Sequence, residues 1–289
     1  MILLADIGGT NARFAWADGA GGHGPPTILP VAAHASLADA MLAATGGSRP
    51  DLALVALPGP VQGDHALLTN SHWGMIRAAD LPAARCLLFN DLQAQAHLLP
   101  DHPARHLAGG EGDPAAPRLL ANCGTGLGVA LWVPGAGAIP TEAGHASLAG
   151  ATDEEDALIA ALRARFGHAS AERALCGPGL RSLAELAGDR AEALFLDLLA
   201  GHLGSLALAT GARGGVYLAG NICNARAEAL AAPAFHARFT AKGRFAPWLS
   251  ALPLRLITLA EPGLAALASL ATACASTANR PDVPAPSGR

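Results

Sequence analysis

The sequence predicts an α/β protein made of two related halves, each opening on a β-hairpin. Three observations carry that expectation. The first is a repeat spaced 116 residues apart. Leu3-Leu4-Ala5-Asp6-Ile7-Gly8-Gly9-Thr10 runs on to Phe14-Ala15-Trp16, and Leu119-Leu120-Ala121-Asn122-Cys123-Gly124-Thr125-Gly126 runs on to Ala130-Leu131-Trp132. Without a gap, five of fourteen positions match. The second is the alternation of short apolar strands with helical stretches, which marks a layered α/β sheet. The third is the polar, Gly/Pro-rich segment 100–117 between two such runs. The expected organisation is a small α/β lobe over 1–101 and a large α/β lobe over 118–263. A C-terminal helix at about 264–279 returns to the small lobe, and a Pro-rich tail over 280–289 is expected to be disordered.

In the first half, residues 3–6 and 13–16 form the hairpin and 19–26 a Gly/Pro loop. A helix follows around 36–44. Residues 52–57 are a strand ended by Pro58-Gly59-Pro60. Another at 87–89 ends at Asn90-Asp91 and leads into a helix near 92–99. The second half restarts with the repeated hairpin and then turns helical, at 153–166 and 190–209, with strands at 215–219 and near 254–259.

Composition excludes several function classes. A 51% hydrophobic content raises the question of a membrane span. The uncharged stretch 119–141 is long enough, but Asn122, repeated glycines, Pro134 and Pro140 break any spanning helix. Residues 262–279 also lack charge, yet Ala, Ser and Thr dominate, which suits a buried small-residue helix. No basic segment precedes the first apolar run, so no signal peptide is expected and the location expected is the cytoplasm. A net charge of −4 argues against a nucleic-acid partner. The five cysteines show no CxxC pairing, so reduced thiols are expected rather than zinc or disulfides. Lys242 is the only lysine and no GxxxxGK[ST] occurs, which removes a P-loop. Phosphate chemistry here would have to work through backbone amides and a metal.

The repeated turns suit that chemistry. Glycine lets the backbone approach a ligand and aim successive N–H groups at an anion. Either turn alone reads more simply as an ordinary hairpin; two, with Asp6 and Asn122 in register, suggest halves that share one phosphate chain. Asn90-Asp91 lies where a strand gives way to a helix. Asp91 there reads equally as a helix cap or as a carboxylate taking a proton from a hydroxyl. Glu142-Ala143-Gly144-His145 lacks the partner motif of a di-metal site; it suits hydrogen bonding to a polyhydroxylated ligand, although taken alone two solvated loop residues are the plainer reading. Ser170-Ala171-Glu172-Arg173 offers Ser170 as a helix cap. Gly214-Gly215 and Gly220-Asn221, around a strand, could bring backbone close to a flat base.

Taken in order, ADIGGTNARFAW, LPGPVQGD, LTNSHW, LLFNDLQAQA, CGTGLGVA, TEAGH, SAERALCGPGL, GGVYLAGNI, FTAKGRF and LAEPGLAALA resemble the bacterial glucokinase family of the actin-like ATPase and sugar kinase superfamily. The resemblance implies a two-lobed actin-like (ribonuclease H-like) fold that closes on glucose and ATP-Mg²⁺, and a homodimer. It implies ATP-binding positions at Ala5, Asp6, Ile7, Gly8, Gly9, Thr10, Gly124, Thr125, Gly126 and Gly220, with Asp6 touching the metal through water. It also implies Asp91 as the catalytic base, and Asn90, Asp91, Glu142, His145 and Glu172 on the sugar. The chain departs from the family's GEGGH at Thr141 and Ala143 and from its AGG at Asn221, which bears on affinity and sugar preference more than on reaction type. A kinase for another hexose and a non-catalytic sugar sensor on the same fold remain the alternatives.

Overall fold

A computed structural model describes residues 1–68 and 71–278; Thr69, Asn70 and the tail expected over 280–289 lie outside the described residues. The chain divides into two compact units, one of Met1–Leu98 with the C-terminal segment from Glu261, the other of Leu99–Ala260.

The first unit is built on β1 (Ile2–Ile7), β2 (Asn11–Trp16), β3 (Thr27–Pro30) and β4 (Leu52–Leu57). A small three-stranded sheet follows, β5 (Val61–Gln62), β6 (His65–Leu67) and β7 (Met75–Arg77), and then β8 (Cys86–Asn90). The main sheet runs β3-β2-β1-β4-β8, with β1, β4 and β8 parallel. β4 reads LALVAL, the unbroken apolar run of a strand covered on both faces. One face packs with the helix Leu37–Thr45, through Leu37, Ala40 and Met41. The other packs with the helix Pro262–Ala278, through Leu264, Leu267, Ala268 and Ala271, one helical stripe. Ser36 starts the first of these helices by accepting from the Asp39 amide, and Gly46 ends it in the left-handed region. The small sheet escapes the sequence because its strands are two or three residues long. The helix expected near 92–99 is shorter, Asp91–Ala96.

The second unit contains β9 (Arg105–Ala108), β10 (Arg118–Cys123), β11 (Leu127–Val133), β12 (Gly137–Thr141), β13 (Val216–Ala219) and β14 (Leu254–Leu256), in the order β12-β11-β10-β13-β14-β9. Both main sheets therefore share one plan, an antiparallel three-strand meander followed by two parallel strands. The segment 100–117, which reads as a linker, supplies β9 instead, an extra antiparallel edge on β14. The repeat is genuine along its first strand only. Leu3 faces Trp16 in the first hairpin, whereas Leu119 faces Leu131 and Arg118 faces Trp132 in the second. A turn one residue shorter slides the return strand by one place, so the two matching tryptophans are not structural equivalents.

The helix Asp153–Phe166 is capped by Thr152 and carries four acidic residues in its first turn, which suits the helix dipole. The helix Ala191–Thr210 is apolar nearly all round because it runs through the core of this unit, with Leu194, Phe195, Leu198, Leu199 and Leu203 buried. By length and composition Gly177–Thr210 could cross a membrane. It is interrupted at Gly188, and 61% of its most apolar window is buried inside the protein. The two stretches singled out from the sequence are not this one.

Candidate active site

In the first unit the site begins where β1 ends. Ala5 and Ile7 are in the core at 0% and 2% exposure, so only their backbone is available at the turn. Asp6, one step along the pleat, shares the opposite face with Leu4, the face covered by the helix Pro262–Ala278. A Cβ on Gly263 would lie 2.4 Å from the Asp6 carboxyl carbon. The carboxyl thus rests on the first turn of that helix, where backbone N–H groups lack intrahelical acceptors. Arg13 stands opposite Asp6 in the hairpin and pairs through Nε with Glu261 Oε2 at 2.8 Å. The Gly8 amide donates to the Asn11 carbonyl and closes the turn, leaving Gly9 and Thr10 exposed.

Burial pushes the Asp6 carboxyl up to about 6, with Arg13 pulling it down and Glu261 pushing it up. The folded chain therefore holds this proton more tightly than the unfolded chain, whose value is 3.8. The resulting stabilisation is complete below 3.8 and is lost as pH rises through about 6. Asp6→Asn, which keeps the neutral shape, should gain up to about 3 kcal/mol over wild type between pH 4 and pH 8. Urea denaturation at the two pH values measures this; a pH-independent difference would mean the carboxyl is solvated.

At the end of β8 the structure corrects the cap reading of Asp91. Asn90, not Asp91, is the cap: its Oδ1 accepts from the Gln93 amide at 2.9 Å and its Nδ2 donates to the Gly59 carbonyl at 3.0 Å. Asp91 is the first residue of the helix, with Oδ1 accepting from the Leu92 amide at 2.8 Å.

In the second unit the loop 124–126 occupies the same end of β10. Asp6 lies beside Ala56 of β4 as Asn122 lies beside Ala219 of β13, so the two polar residues hold equivalent sheet positions. The Gly124 amide donates to the Gly126 carbonyl, and the Gly124 carbonyl accepts from Gly177, both at 2.9 Å. Thr125 stays exposed. Gly220 sits at φ +94°, where an added Cβ would lie 2.2 Å from the Cys123 carbonyl oxygen. Gly214 and Gly215 lie at the other end of β13 and pack on residues 116–117 and Pro253, so they do not join Gly220 around a base.

Glu142, His145 and Glu172 are brought together. Two short 3-10 turns, Ala143–His145 and Ala171–Arg173, are tied by the Ala171 amide donating to the Ala146 carbonyl at 2.9 Å. His145 Nε2 is 3.9 Å from Glu142 Oε2, and its Nδ1 is 4.0 Å from Glu172 Oε1. These separations are too long for direct hydrogen bonds and leave polar atoms for a hydroxylated ligand. The second Glu172 oxygen is engaged: Oε2 accepts from the Leu127 amide at 3.0 Å, which links this carboxylate to the start of β11. Gly144 presses on β11, where a Cβ would lie 2.0 Å from the Leu127 carbonyl oxygen. Ala143 packs against the core, so the departure from GEGGH falls on a position that accepts a methyl group. Ser170 makes no side-chain cap; Cys176 caps the next helix, accepting at Sγ from the Gly179 amide.

The sequence missed Arg13, Glu261 and Gly263. Arg13 was within reach, since hairpin pairing alone places it opposite Asp6. Nothing local to 261–263 announces that the helix starting there receives a carboxylate from β1.

The glucokinase family model matches residues 3–193 and 186–274. The chain is 36% identical to a glucokinase of Paramagnetospirillum magneticum, over 94% of this chain and 98% of that protein. It is 38% identical to one of Cupriavidus metallidurans, over 92% and 91%. The solved glucokinase of an Antarctic psychrotroph superposes with a TM-score of 0.75 at 28% identity, over 93% of this chain and 98% of that one. With matches that run nearly end to end, this α/β chain belongs to the glucokinase family.

Proposed function

We propose that the protein transfers the terminal phosphoryl group of ATP to the 6-hydroxyl of glucose, giving ADP and glucose 6-phosphate. The observation that carries this reading is the pair of Gly/Thr turns at equivalent ends of two matching sheets, each backed by Asp6 or Asn122, in a member of the glucokinase family. In this reading the fold is of the actin-like ATPase kind. The turns 8–10 and 124–126 hold phosphates through backbone amides, and Gly220 lies by the nucleoside. Asp91 accepts the hydroxyl proton as the oxygen attacks phosphorus. The helix N-terminus at Asp91 favours negative charge there. Asn90, with one Nδ2 hydrogen beyond its bond to Gly59, joins Glu142, His145 and Glu172 on the sugar hydroxyls.

Mg²⁺ suits this donor set. Among the described residues no three His, Cys, Asp or Glu side chains cluster to hold a metal. One enclosed carboxylate beside a phosphate turn fits an ion that arrives on the nucleotide and keeps most of its waters. When bound, Mg²⁺ neutralises charge on the phosphates; Asp6 would hold it through water.

In a coupled assay, ADP release should require both glucose and Mg²⁺. An unchanged rate in excess chelator, or an equal rate without sugar, would contradict the proposal.

A further inference from the structure

All five cysteines are free thiols, and two of them meet where the second sheet ends. Cys123 is the last residue of β10, and Cys223 lies in the four-residue helix Asn221–Asn224 that follows β13. Parallel pairing sets Asn122 beside Ala219, so the chain leaves the two strands side by side at Cys123 and Gly220. The short helix packs back onto β10, and its Cys223 thiol is in hydrogen-bond contact with the thiol of Cys123. Both side chains are buried at 0% exposure in the core of this unit. The Cys223 sulfur and then burial hold the Cys123 thiol protonated, well above its ordinary range. Cys176 stands nearby, tied in by the Gly177 amide donating to the Gly124 carbonyl, but its sulfur is committed. It donates to the Glu172 carbonyl at 2.9 Å and accepts from the Gly179 amide at 3.4 Å. The natural partner of Cys123 is therefore Cys223, and neither thiol has a part in the chemistry described above.

We propose that Cys123 and Cys223 form an oxidisable dithiol, closed by hydrogen peroxide to a disulfide that disables the nucleotide side of the site. A single buried thiol is inert; a second one in contact supplies the resolving partner. Burial excludes bulky oxidants, whereas peroxide is close to water in size and needs only a brief local opening of a one-turn helix. The Cys223 sulfur attacks one peroxide oxygen, the O–O bond breaks, and a sulfenic acid and one water result. The Cys123 sulfur then attacks the sulfenic sulfur, and its proton leaves with the hydroxyl as a second water. One S–S bond forms, the sulfurs give up two electrons, and the peroxide takes them. A covalent bond draws the sulfurs closer than a hydrogen bond does. The backbone beside them has no slack, since a Cβ on Gly220 would already lie 2.2 Å from the Cys123 carbonyl oxygen. The displacement therefore passes to Gly220 and to the loop 124–126. Only in reading those positions as nucleotide contacts does the inference rest on the proposed kinase function.

The test treats the whole reduced protein with hydrogen peroxide, alkylates the thiols that remain and maps the unreduced tryptic peptides by mass spectrometry. Cleavage after arginine puts Cys123, Cys176 and Cys223 on separate peptides, 119–163, 174–181 and 214–226. The expected product keeps three of the five thiols and joins peptide 119–163 to 214–226, and dithiothreitol reverses the link. The ATP KM of the oxidised protein should rise about tenfold or more, because small displacements of positioning groups carry large kinetic effects. Cys223→Ser should form no link and keep its ATP KM in peroxide; Cys223→Ala makes the same comparison without a buried hydroxyl. Cys86→Ser, which changes a half-buried thiol on β8 of the first unit, should respond as wild type does. The proposal is overturned if all five thiols survive, if Cys123 is found linked to Cys176, or if Cys223 passes to the sulfinic acid unlinked. It is equally overturned if the link forms and the ATP KM does not move. Failure of the mapping leaves the kinase reading standing. A reduced protein that never releases ADP would sink the kinase reading alone, and the mapping would still decide whether the dithiol closes.

Discussion

Asp91→Ala should lower kcat by about 10²–10⁴-fold, the range for loss of a general base, while the protein stays folded. The division of labour at the end of β8 allows the two effects to be separated. Asn90 supplies the cap through its bond to the Gln93 amide and anchors the 58–60 turn through Gly59. Removing the Asp91 carboxylate keeps both bonds. A favourable charge in the first helical turn is lost, worth about 0.3–1 kcal/mol. Glucose should still bind, because Asn90, Glu142, His145 and Glu172 remain. Steady-state kinetics beside thermal denaturation decides the matter. A kcat within a factor of two of wild type would leave Asp91 as a helix-end charge and remove it from the chemistry.

The second large effect is expected at Gly144. An alanine there would place its Cβ 2.0 Å from the Leu127 carbonyl oxygen, a backbone atom with little room to retreat. Either the Ala143–His145 turn or the start of β11 must move. The turn carries His145 and follows Glu142; Leu127 donates its amide to Glu172. Three of the proposed sugar ligands, Glu142, His145 and Glu172, are therefore disturbed together. Overpacking of this kind costs about 1–3 kcal/mol in stability, and the glucose KM should rise at least tenfold. Ala143→Gly provides the contrast. It restores the family's glycine at a position where the methyl group packs on the core, and should change stability by about 1 kcal/mol or less with no rise in glucose KM. A Gly144→Ala protein with wild-type glucose KM would take the turn out of the sugar site.

The pattern of what could be read from the chain has physical causes. β4 and the helix Asp153–Phe166 are found at their sequence-expected bounds because each has an unambiguous pattern, an apolar run bounded by Pro58 and an acidic start behind a threonine cap. β9 was missed because four residues of an edge strand, Arg-His-Leu-Ala, carry too little apolar signal inside a Gly/Pro-rich stretch. The repeat pointed correctly to two like sheets, but matching letters hid the one-residue slip between the hairpins, since pairing is set by turn length and not by identity. Glu142, His145 and Glu172 could be named in sequence. Their assembly depends on the long-range bond between Ala146 and Ala171, which no local pattern encodes. The enclosure of Asp6 by Gly263 likewise joins residues from opposite ends of the chain.

Phosphoryl transfer to glucose is decided by identifying the product. Purified protein, ATP, Mg²⁺ and glucose are incubated, and glucose 6-phosphate is quantified beside ADP, the sugar phosphate by its specific dehydrogenase. One glucose 6-phosphate should form for each ADP, and Asp91→Ala should suppress both together. Glucose binding without any sugar phosphate, or ADP formed without it, would rule out glucose as the phosphoryl acceptor and favour a sugar-sensing protein or a kinase for another acceptor.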